Sequence, residues 1–123
     1  MAVIELNKDN FEQVLADNDI VILDFWASWC APCKMFAPIF EAAAERHADV
    51  VFGKINTEVE QELAMHFQVR SIPTIMIARE QIFVFSEAGA LASGALDEVL
   101  GKVKALDMDE VRVSVEQLAK QQA

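Results

Sequence analysis

The segment of residues 20–35 reads IVILDFWASWCAPCKM and decides the fold. Its first part, residues 20–25, is a nearly continuous run of β-branched and apolar side chains, which predicts a strand buried on both faces, as in a parallel sheet. From Pro32 to about His47, apolar residues recur at helical spacing and predict a long helix. Residues 50–55 predict the next strand. These three elements form a βαβ unit, whose crossover is right-handed in nearly all proteins.

Periodic segments extend this unit in both directions. Apolar runs predict further strands at residues 3–6, 74–78 and 82–85, and helical spacing predicts helices near the start of the chain, after residue 57 and after residue 93. The capping signals predicted for these three helices are Asp9 with Glu12, Thr57 with Glu60, and Ser93. Residues 107–123 predict one more helix, although the alternating valines at its start also fit a strand.

Length and charge exclude several classes of protein. A chain of 123 residues fits one domain, and an apolar content of 54% excludes a disordered chain. The net charge of −10 is a poor match for nucleic acids and anionic lipid surfaces, both of which attract Lys and Arg. The sequence begins MAVIE and contains no apolar run near the ~20 residues that span a bilayer, so we expect a cytoplasmic protein without membrane contact.

The cysteine content narrows the chemistry further. Only Cys30 and Cys33 are present, which excludes a disulfide-dense scaffold. The two histidines, His47 and His66, do not complete the close Cys and His spacing of a structural zinc site, and both are interpreted as helix-surface residues. We therefore expect no bound metal.

The two cysteines lie between the buried strand and the start of the long helix. Unpaired N–H groups and the helix dipole at that position stabilise a thiolate at Cys30, which is expected to lower the pKa of the thiol. Cys33 lies one turn further along, close enough to close a small disulfide ring and deep enough to be shielded. Pro32 suits a first helical turn because its missing N–H would have no partner there. The pattern predicts Cys30 as the attacking sulfur and Cys33 as the resolving sulfur.

A C-x-x-C motif next to a βαβ pattern is typical of thioredoxin-like redox sites, and the chain resembles bacterial thioredoxins over residues 3–106. Residues 24–35 resemble the family's active-site segment, and residues 53–56 resemble its central strand. Ile72-Pro73-Thr74 resembles the cis-proline loop and Gly89-Ala90 the late glycine turn. The resemblance implies an α/β thioredoxin fold, with a central mixed five-stranded sheet flanked by four helices. It divides the chain into a thioredoxin domain (1–106) and a C-terminal extension with an extra helix (107–123).

The resemblance also implies roles for individual residues. Asp24, buried with a raised pKa, would accept a proton from Cys33, and Lys54 would lie near Asp24 and modulate its charge. Pro73 would be cis and lie against the cysteine pair, where the backbone of Ile72 would pair with an extended substrate. The substrate-binding surface would comprise Trp29, Ala31, Pro32, Ile72, Gly89 and Ala90.

Three features depart from the family pattern. Ala31 stands where the family usually has Gly, which leaves the reduction potential open because small changes in thiolate stability alter it. Glu80-Gln81 replaces the usual Asn-Gly hairpin turn, so we expect a different or looser turn. The strand at 82–85 is apolar at four successive positions, and we expect the extension or a second copy of the chain to cover it.

These features favour a thiol–disulfide oxidoreductase that reduces protein disulfides through Cys30 and Cys33. The resemblance implies that an NADPH-dependent thioredoxin reductase restores the dithiol. The alternative is a thioredoxin-like adaptor, either a co-chaperone or a complex subunit, in which redox activity is incidental. A homodimer through the last strand or the extension is compatible with either function. An oxidant or isomerase on the same fold is less favoured, because reductive thioredoxins also carry Ile before the cis-proline.

Overall fold

The computed structural model describes residues 2–122 and confirms the α/β arrangement of five strands and five helices. Met1 and Ala123, at the ends of the predicted domain and of the predicted last helix, lie outside the described residues. The elements follow one another along the chain as β1 (Val3–Glu5), α1 (Phe11–Asp17), β2 (Ile20–Trp26), α2 (Ala31–Arg46), β3 (Val51–Asn56), α3 (Gln61–His66), β4 (Thr74–Arg79), β5 (Ile82–Ala88), α4 (Ser93–Lys104) and α5 (Met108–Gln122).

The strands form one mixed sheet in the order β1-β3-β2-β4-β5. The central strand β2 pairs in parallel with β3 and antiparallel with β4, and Ile20 to Phe25 are buried, as the unbroken apolar run predicts. Alternate residues of β2 contribute to two apolar clusters: Ile22 packs with α2 and α4, and Leu23 packs with α1. The sheet therefore places the C-terminal end of β2 between two packed layers, and the cysteine motif follows directly.

The backbone of β3 at Gly53 lies unusually close to the side chain of Leu6. A Cβ at Gly53 would lie 2.5 Å from Cδ1 of Leu6, which is itself buried. Glycine is therefore required here by space, since a larger residue would push against a side chain that has little room to move.

The predicted helix caps are wrong. The residue before α1 is Asn10, and Oδ1 of Asn7 accepts from the N–H groups of Asp9 and Asn10, in place of the predicted Asp9–Glu12 box. The other two predicted caps also fail, because α3 begins at Gln61, after both Thr57 and Glu60, and Ser93 is the first residue of α4 rather than its cap. The hydroxyl of Thr57 donates instead to the carbonyl of Trp26, so it makes a tertiary hydrogen bond rather than accepting from an N–H of a helix.

The β4–β5 turn also differs from the prediction. Glu80 and Gln81 both adopt positive φ, 51° and 67°, as in the tight two-residue turn that Asn-Gly normally forms. The turn is thus neither looser nor of another type, and two L-residues bear the conformational cost. The side chain of Glu80 forms an ion pair with Arg112 of α5.

The C-terminal extension is helical, as predicted, and is attached mainly by its first turn. Met108 is buried, whereas every residue of α5 after Val111 is exposed. The helix and β5 line an open groove of about 390 Å³, and Phe83 of β5 remains 38% exposed. The expectation that the extension covers β5 is therefore met only in part.

Within residues 2–122, no helix has both the length and the apolar character needed to cross a membrane.

Candidate active site

The cysteine motif occupies the turn from β2 into α2. Cys30 is the N-cap of α2, with extended backbone dihedrals, and its Sγ lies 3.2 Å from the backbone nitrogen of Cys33, which donates to it. Pro32 lies in the first turn of the helix, as predicted. The first sulfur therefore receives an N–H donor and faces the positive end of the helix dipole, as the sequence predicts for a stabilised thiolate.

Cys30 and Cys33 are joined by a disulfide, with their Cα atoms 5.2 Å apart. Both residues are only 3% exposed, so the expected contrast between an accessible first cysteine and a shielded second one is absent in this form. They pack with Ala27, Trp26 and Ile72 in a small cluster of their own.

The cis-proline loop faces this disulfide. The Ile72–Pro73 bond is cis, and Sγ of Cys30 lies 3.6 Å from the carbonyl oxygen of Ile72. The N–H of Gly89 donates to the carbonyl of Pro73 at 2.7 Å, and its φ of 105° is readily reached only by glycine. Three segments that are distant in sequence are therefore brought together around the sulfur pair.

Asp24 is fully buried in the middle of β2. Neither of its carboxyl oxygens has a hydrogen-bond partner among residues 2–122. Burial raises the pKa of Asp24 from its usual 3.8 to about 7, against a smaller opposing effect of the Lys54 charge. The raised pKa expected from the sequence is confirmed, and it makes Asp24 a group that exchanges protons near neutral pH.

Lys54 lies beside Asp24 in the sheet, on the neighbouring strand. The two residues are register partners in the parallel β2–β3 pair. The Lys54 side chain is half-buried, and Nζ lies 4.9 Å from the centroid of the Trp26 ring, within the range of a cation–π interaction. The expected proximity of Lys54 to Asp24 is confirmed, and Trp26 is an additional neighbour that the sequence did not indicate.

The remaining predicted site residues form the rim of the sulfur pair. Trp29 is 70% exposed, and Ala31, Pro32 and Ala90 are also exposed. Large exposed apolar side chains next to a reactive group are typical of a surface that binds another molecule. Trp29 is therefore exposed directly before Cys30 in the chain, whereas Trp26 is half-buried.

One polar contact of the active-site turn was not predicted. Oε1 of Glu58 accepts hydrogen bonds from both the backbone N–H and the hydroxyl of Ser28, at 2.8 and 2.7 Å. The separation of 30 positions between the two residues leaves no local pattern that would have revealed their contact.

The sequence analysis interpreted both histidines as surface residues and predicted no metal site. His47 is not a simple surface residue, because its ring lies between Asp97 and Lys104 at the end of α2. Within the described part of the chain, no group of three or more His, Cys, Asp or Glu side chains is arranged to hold a metal ion. The chemistry that the site supports with its own residues is the exchange of a dithiol and a disulfide.

Comparisons with known proteins agree with this site. The family model described as Thioredoxin matches residues 2–102. The chain is 53% identical to a Streptomyces coelicolor protein named as a thioredoxin 2. The match extends over 122 residues and covers 99% of this chain and 89% of that protein. Thioredoxin from Haemophilus influenzae is 42% identical over 91 residues, which cover 72% of this chain and 85% of that protein.

Solved structures show the same fold. A mutant thioredoxin from Halobacterium salinarum superimposes with a TM-score of 0.80 at 30% identity, covering 85% of this chain and 92% of that one. Thioredoxin from Plasmodium falciparum superimposes with a TM-score of 0.74 at 29% identity, covering 80% of this chain and 96% of that one. The matches to solved structures cover slightly less of this chain than the Streptomyces match does.

Proposed function

The chain belongs to the thioredoxin family and is a thiol–disulfide oxidoreductase that reduces protein disulfides, and on this premise we propose the roles of its residues in the reaction. The observation that carries the proposal is the disulfide between Cys30 and Cys33 at the N-terminus of α2, with the Ile72 carbonyl facing it. A sulfur at this position is stabilised as a thiolate when the disulfide is reduced.

The reaction proceeds in two exchanges. The Cys30 thiolate attacks one sulfur of the substrate disulfide, the substrate S–S bond breaks, and one substrate thiolate leaves with an electron pair. The Cys33 thiol then loses its proton and attacks Cys30 in the mixed disulfide, which releases the second substrate thiolate and forms the Cys30–Cys33 bond. Two electrons pass from the protein dithiol to the substrate, and the two substrate thiolates take up two protons.

Asp24 is proposed to accept the proton from Cys33 in the second exchange. Its pKa of about 7 suits this role, because a base is most effective when its pKa lies near the working pH. Lys54, its register partner, is proposed to modulate the charge of the carboxyl group through space. Fixed burial in the central strand keeps Asp24 in one position through the reaction.

The substrate is proposed to bind along the rim as an extended segment. The backbone of Ile72, next to cis-Pro73, offers hydrogen-bonding groups in the manner of an added strand. Trp29 and the exposed residues Ala31, Pro32 and Ala90, with Gly89 beside Pro73, supply the surrounding contact surface. Such recognition depends mainly on backbone atoms and therefore accepts many protein substrates.

The oxidised protein is proposed to be recycled by an NADPH-dependent thioredoxin reductase in the cytoplasm. A protein that donates electrons in every turnover needs a partner that supplies them, and cytoplasmic thiols are kept reduced. No cofactor is proposed to bind this chain, because the redox group is the Cys30–Cys33 pair itself.

Turnover of insulin disulfides tests the proposal. With NADPH and a bacterial thioredoxin reductase, we expect steady NADPH consumption that Cys30→Ser abolishes. Cys33→Ser should instead accumulate a mixed disulfide between Cys30 and insulin, visible by non-reducing electrophoresis. Turnover with dithiothreitol but not with the reductase would refute the proposed recycling partner, and no turnover with either would refute the assigned reaction.

A second candidate function, an adaptor, is favoured by one observation. The side chains of Val113, Val115 and Leu118 of α5 are each more than two-fifths exposed, and β5 next to them is an edge strand. We propose that residues 1–106 are the redox domain and that residues 107–123 form an appendage available to a partner, including a second copy of the chain. Deletion of residues 107–123 should leave insulin reduction within about twofold of the full chain, and a loss of molar mass beyond that of the deleted segment in light scattering would reveal self-association.

A further inference from the structure

The turn between β2 and α2 is tied to the turn between β3 and α3 by a single carboxylate. One oxygen of Glu58 accepts from the backbone N–H of Ser28 at 2.8 Å and from its hydroxyl at 2.7 Å. Both hydrogen bonds lie within the short range expected for an ionised acceptor. The same two bonds lower the pKa of Glu58 below its usual 4.5, the hydroxyl more than the N–H, because both stabilise the charged carboxylate.

The rest of the active-site turn is held from other directions. Ala27 is fully buried, and the N–H of Cys30 donates to its carbonyl at 3.2 Å. Cys30 is fixed further by the N–H of Cys33 and by its burial next to Ile72. The part of the turn that projects from the protein is therefore Ser28 and Trp29, and Glu58 anchors the first of these two residues.

Trp29 depends on this anchor for its position. Its side chain is 70% exposed, so packing against the protein restrains it only slightly. Its backbone follows directly from Ser28, whose N–H and hydroxyl are both engaged by Glu58. Without the carboxylate, the Ser28–Trp29 peptide would gain freedom, and a substrate would have to order it on binding, at a cost in affinity.

We propose that Glu58 is a positioning residue for protein substrates, which holds the Ser28–Trp29 turn so that the indole of Trp29 is ordered before the substrate docks. This inference rests on the proposed function, since it concerns the same substrate surface. It assigns Glu58 no contact with the reacting sulfurs, because Cys30 is held by α2 and by its own burial. The residue acts through Trp29 and therefore affects docking of a protein more than the reactivity of the thiol.

Two rate constants separate docking from reactivity. The pre-reduced protein is mixed with insulin, and the second-order rate constant of disulfide reduction is measured in a single turnover, which avoids any effect on a reductase. In parallel, Cys30 of the reduced protein is alkylated with iodoacetamide, a reagent too small to need a docking surface. We expect Glu58→Ala to lower the insulin rate constant about tenfold, equivalent to about 1.4 kcal/mol, and to change alkylation less than about twofold.

Matched variants isolate the hydrogen bonds from the charge. Glu58→Gln retains an acceptor oxygen and should restore the insulin rate constant to within about threefold of the parent protein. Glu60→Ala removes a carboxylate from the same turn, but Glu60 accepts from Lys8 and not from the active-site turn, so its insulin rate constant should match the parent. If Glu58→Ala fails to fold, Ser28→Ala removes only the hydroxyl bond and should produce a smaller loss of the same kind.

A double-mutant cycle with Trp29→Ala decides whether Glu58 acts through the indole. In the Trp29→Ala background, Glu58→Ala should change the insulin rate constant less than about twofold. A full tenfold loss in that background, or an equal loss of alkylation and insulin reduction, would overturn the inference. An inactive parent protein would instead refute the proposed function, whereas an active parent with an unchanged Glu58→Ala variant would refute this inference alone.

Discussion

Replacing Asp24 by Asn should stabilise the protein, by an amount that increases with pH. Asp24 is fully buried, and neither carboxyl oxygen has a hydrogen-bond partner among residues 2–122. An ionised carboxylate in such a position is disfavoured unless a counter-charge compensates for lost hydration. Lys54 compensates only in part, because the pKa of Asp24 remains raised to about 7.

The magnitude follows from the pKa in the folded and unfolded states. A carboxyl group whose pKa is raised on folding contributes stability that is fully present below its unfolded pKa and is lost as the pH rises through its folded pKa. For Asp24 this loss begins near pH 3.8 and is complete above about pH 7. The interval between these pKa values, at about 1.36 kcal/mol for each pKa unit, amounts to about 4 kcal/mol.

Urea denaturation of the oxidised protein and of Asp24→Asn measures this effect. The difference in unfolding free energy between the two proteins should be smallest near pH 4 and should increase by about 4 kcal/mol, in favour of Asn, by about pH 8. Any cost of the unpaired amide is present at every pH and cancels in this increase. The pKa values of three other carboxyl groups are lowered in the folded protein, so protonation of these groups in acid reduces the unfolding free energy. This loss is the same in both proteins and cancels as well. The three groups belong to Asp49, Glu58 and Asp97.

Asp9→Asn provides the matched control. Asp9 is exposed, and the same change of side chain there should alter the unfolding free energy by less than about 0.5 kcal/mol at any pH. A difference between Asp24→Asn and the parent that stays constant from pH 4 to pH 8 would refute the argument that burial raises the pKa of Asp24.

Three other substitutions have outcomes that the structure determines. Lys54→Met should move the pH dependence of stability due to Asp24 to higher pH, because the Lys54 charge lowers the pKa of Asp24; an unchanged pH profile would contradict this coupling. Gly53→Ala should reduce the unfolding free energy by about 1–3 kcal/mol, since the new methyl group would lie 2.5 Å from Leu6, and an unchanged urea midpoint would mean that Leu6 moves freely. Gln81→Gly should stabilise the hairpin by about 1 kcal/mol, because φ is 67° at this position, and a lower thermal midpoint would contradict that gain.

The elements that could be predicted from sequence are those governed by local periodicity. The apolar run at Ile20–Leu23 could be predicted as a strand buried on both faces because neither face carries a polar side chain, and β2 is the middle strand of the five. The cysteine spacing predicted a disulfide at a helix start for the same reason, since one helical turn brings the two sulfurs together. The proximity of Lys54, Pro73 and Gly89 to the site came from family resemblance rather than from local pattern.

The features that escaped prediction depend on partners distant in the chain. Thr57 has the side chain of a helix cap, but its hydroxyl donates a hydrogen bond to the Trp26 carbonyl. Glu58 lies three residues before α3 begins, and its carboxylate accepts from Ser28, 30 positions away in the chain. At Glu80 the positive φ is accompanied by an ion pair with Arg112, on an extension whose packing the sequence did not define. In each case the side chain contacts a residue too distant in the chain for a local pattern to indicate it.

The position of Asp24 connects stability with the proposed chemistry. Ionisation of buried Asp24 reduces the unfolding free energy by about 4 kcal/mol, a large share of the 5–15 kcal/mol by which native proteins are typically stable. An apolar or amide side chain would avoid that loss, so stability alone gives no reason for a carboxyl group between Leu23 and Phe25. The same burial that destabilises the ionised form brings the pKa to about 7, where the group can take up and return a proton. The Lys54 charge acts in the opposite direction to burial and lowers the pKa of the carboxyl group. The destabilisation and the proton exchange therefore have one physical cause, and a substitution that removes the first should also remove the second.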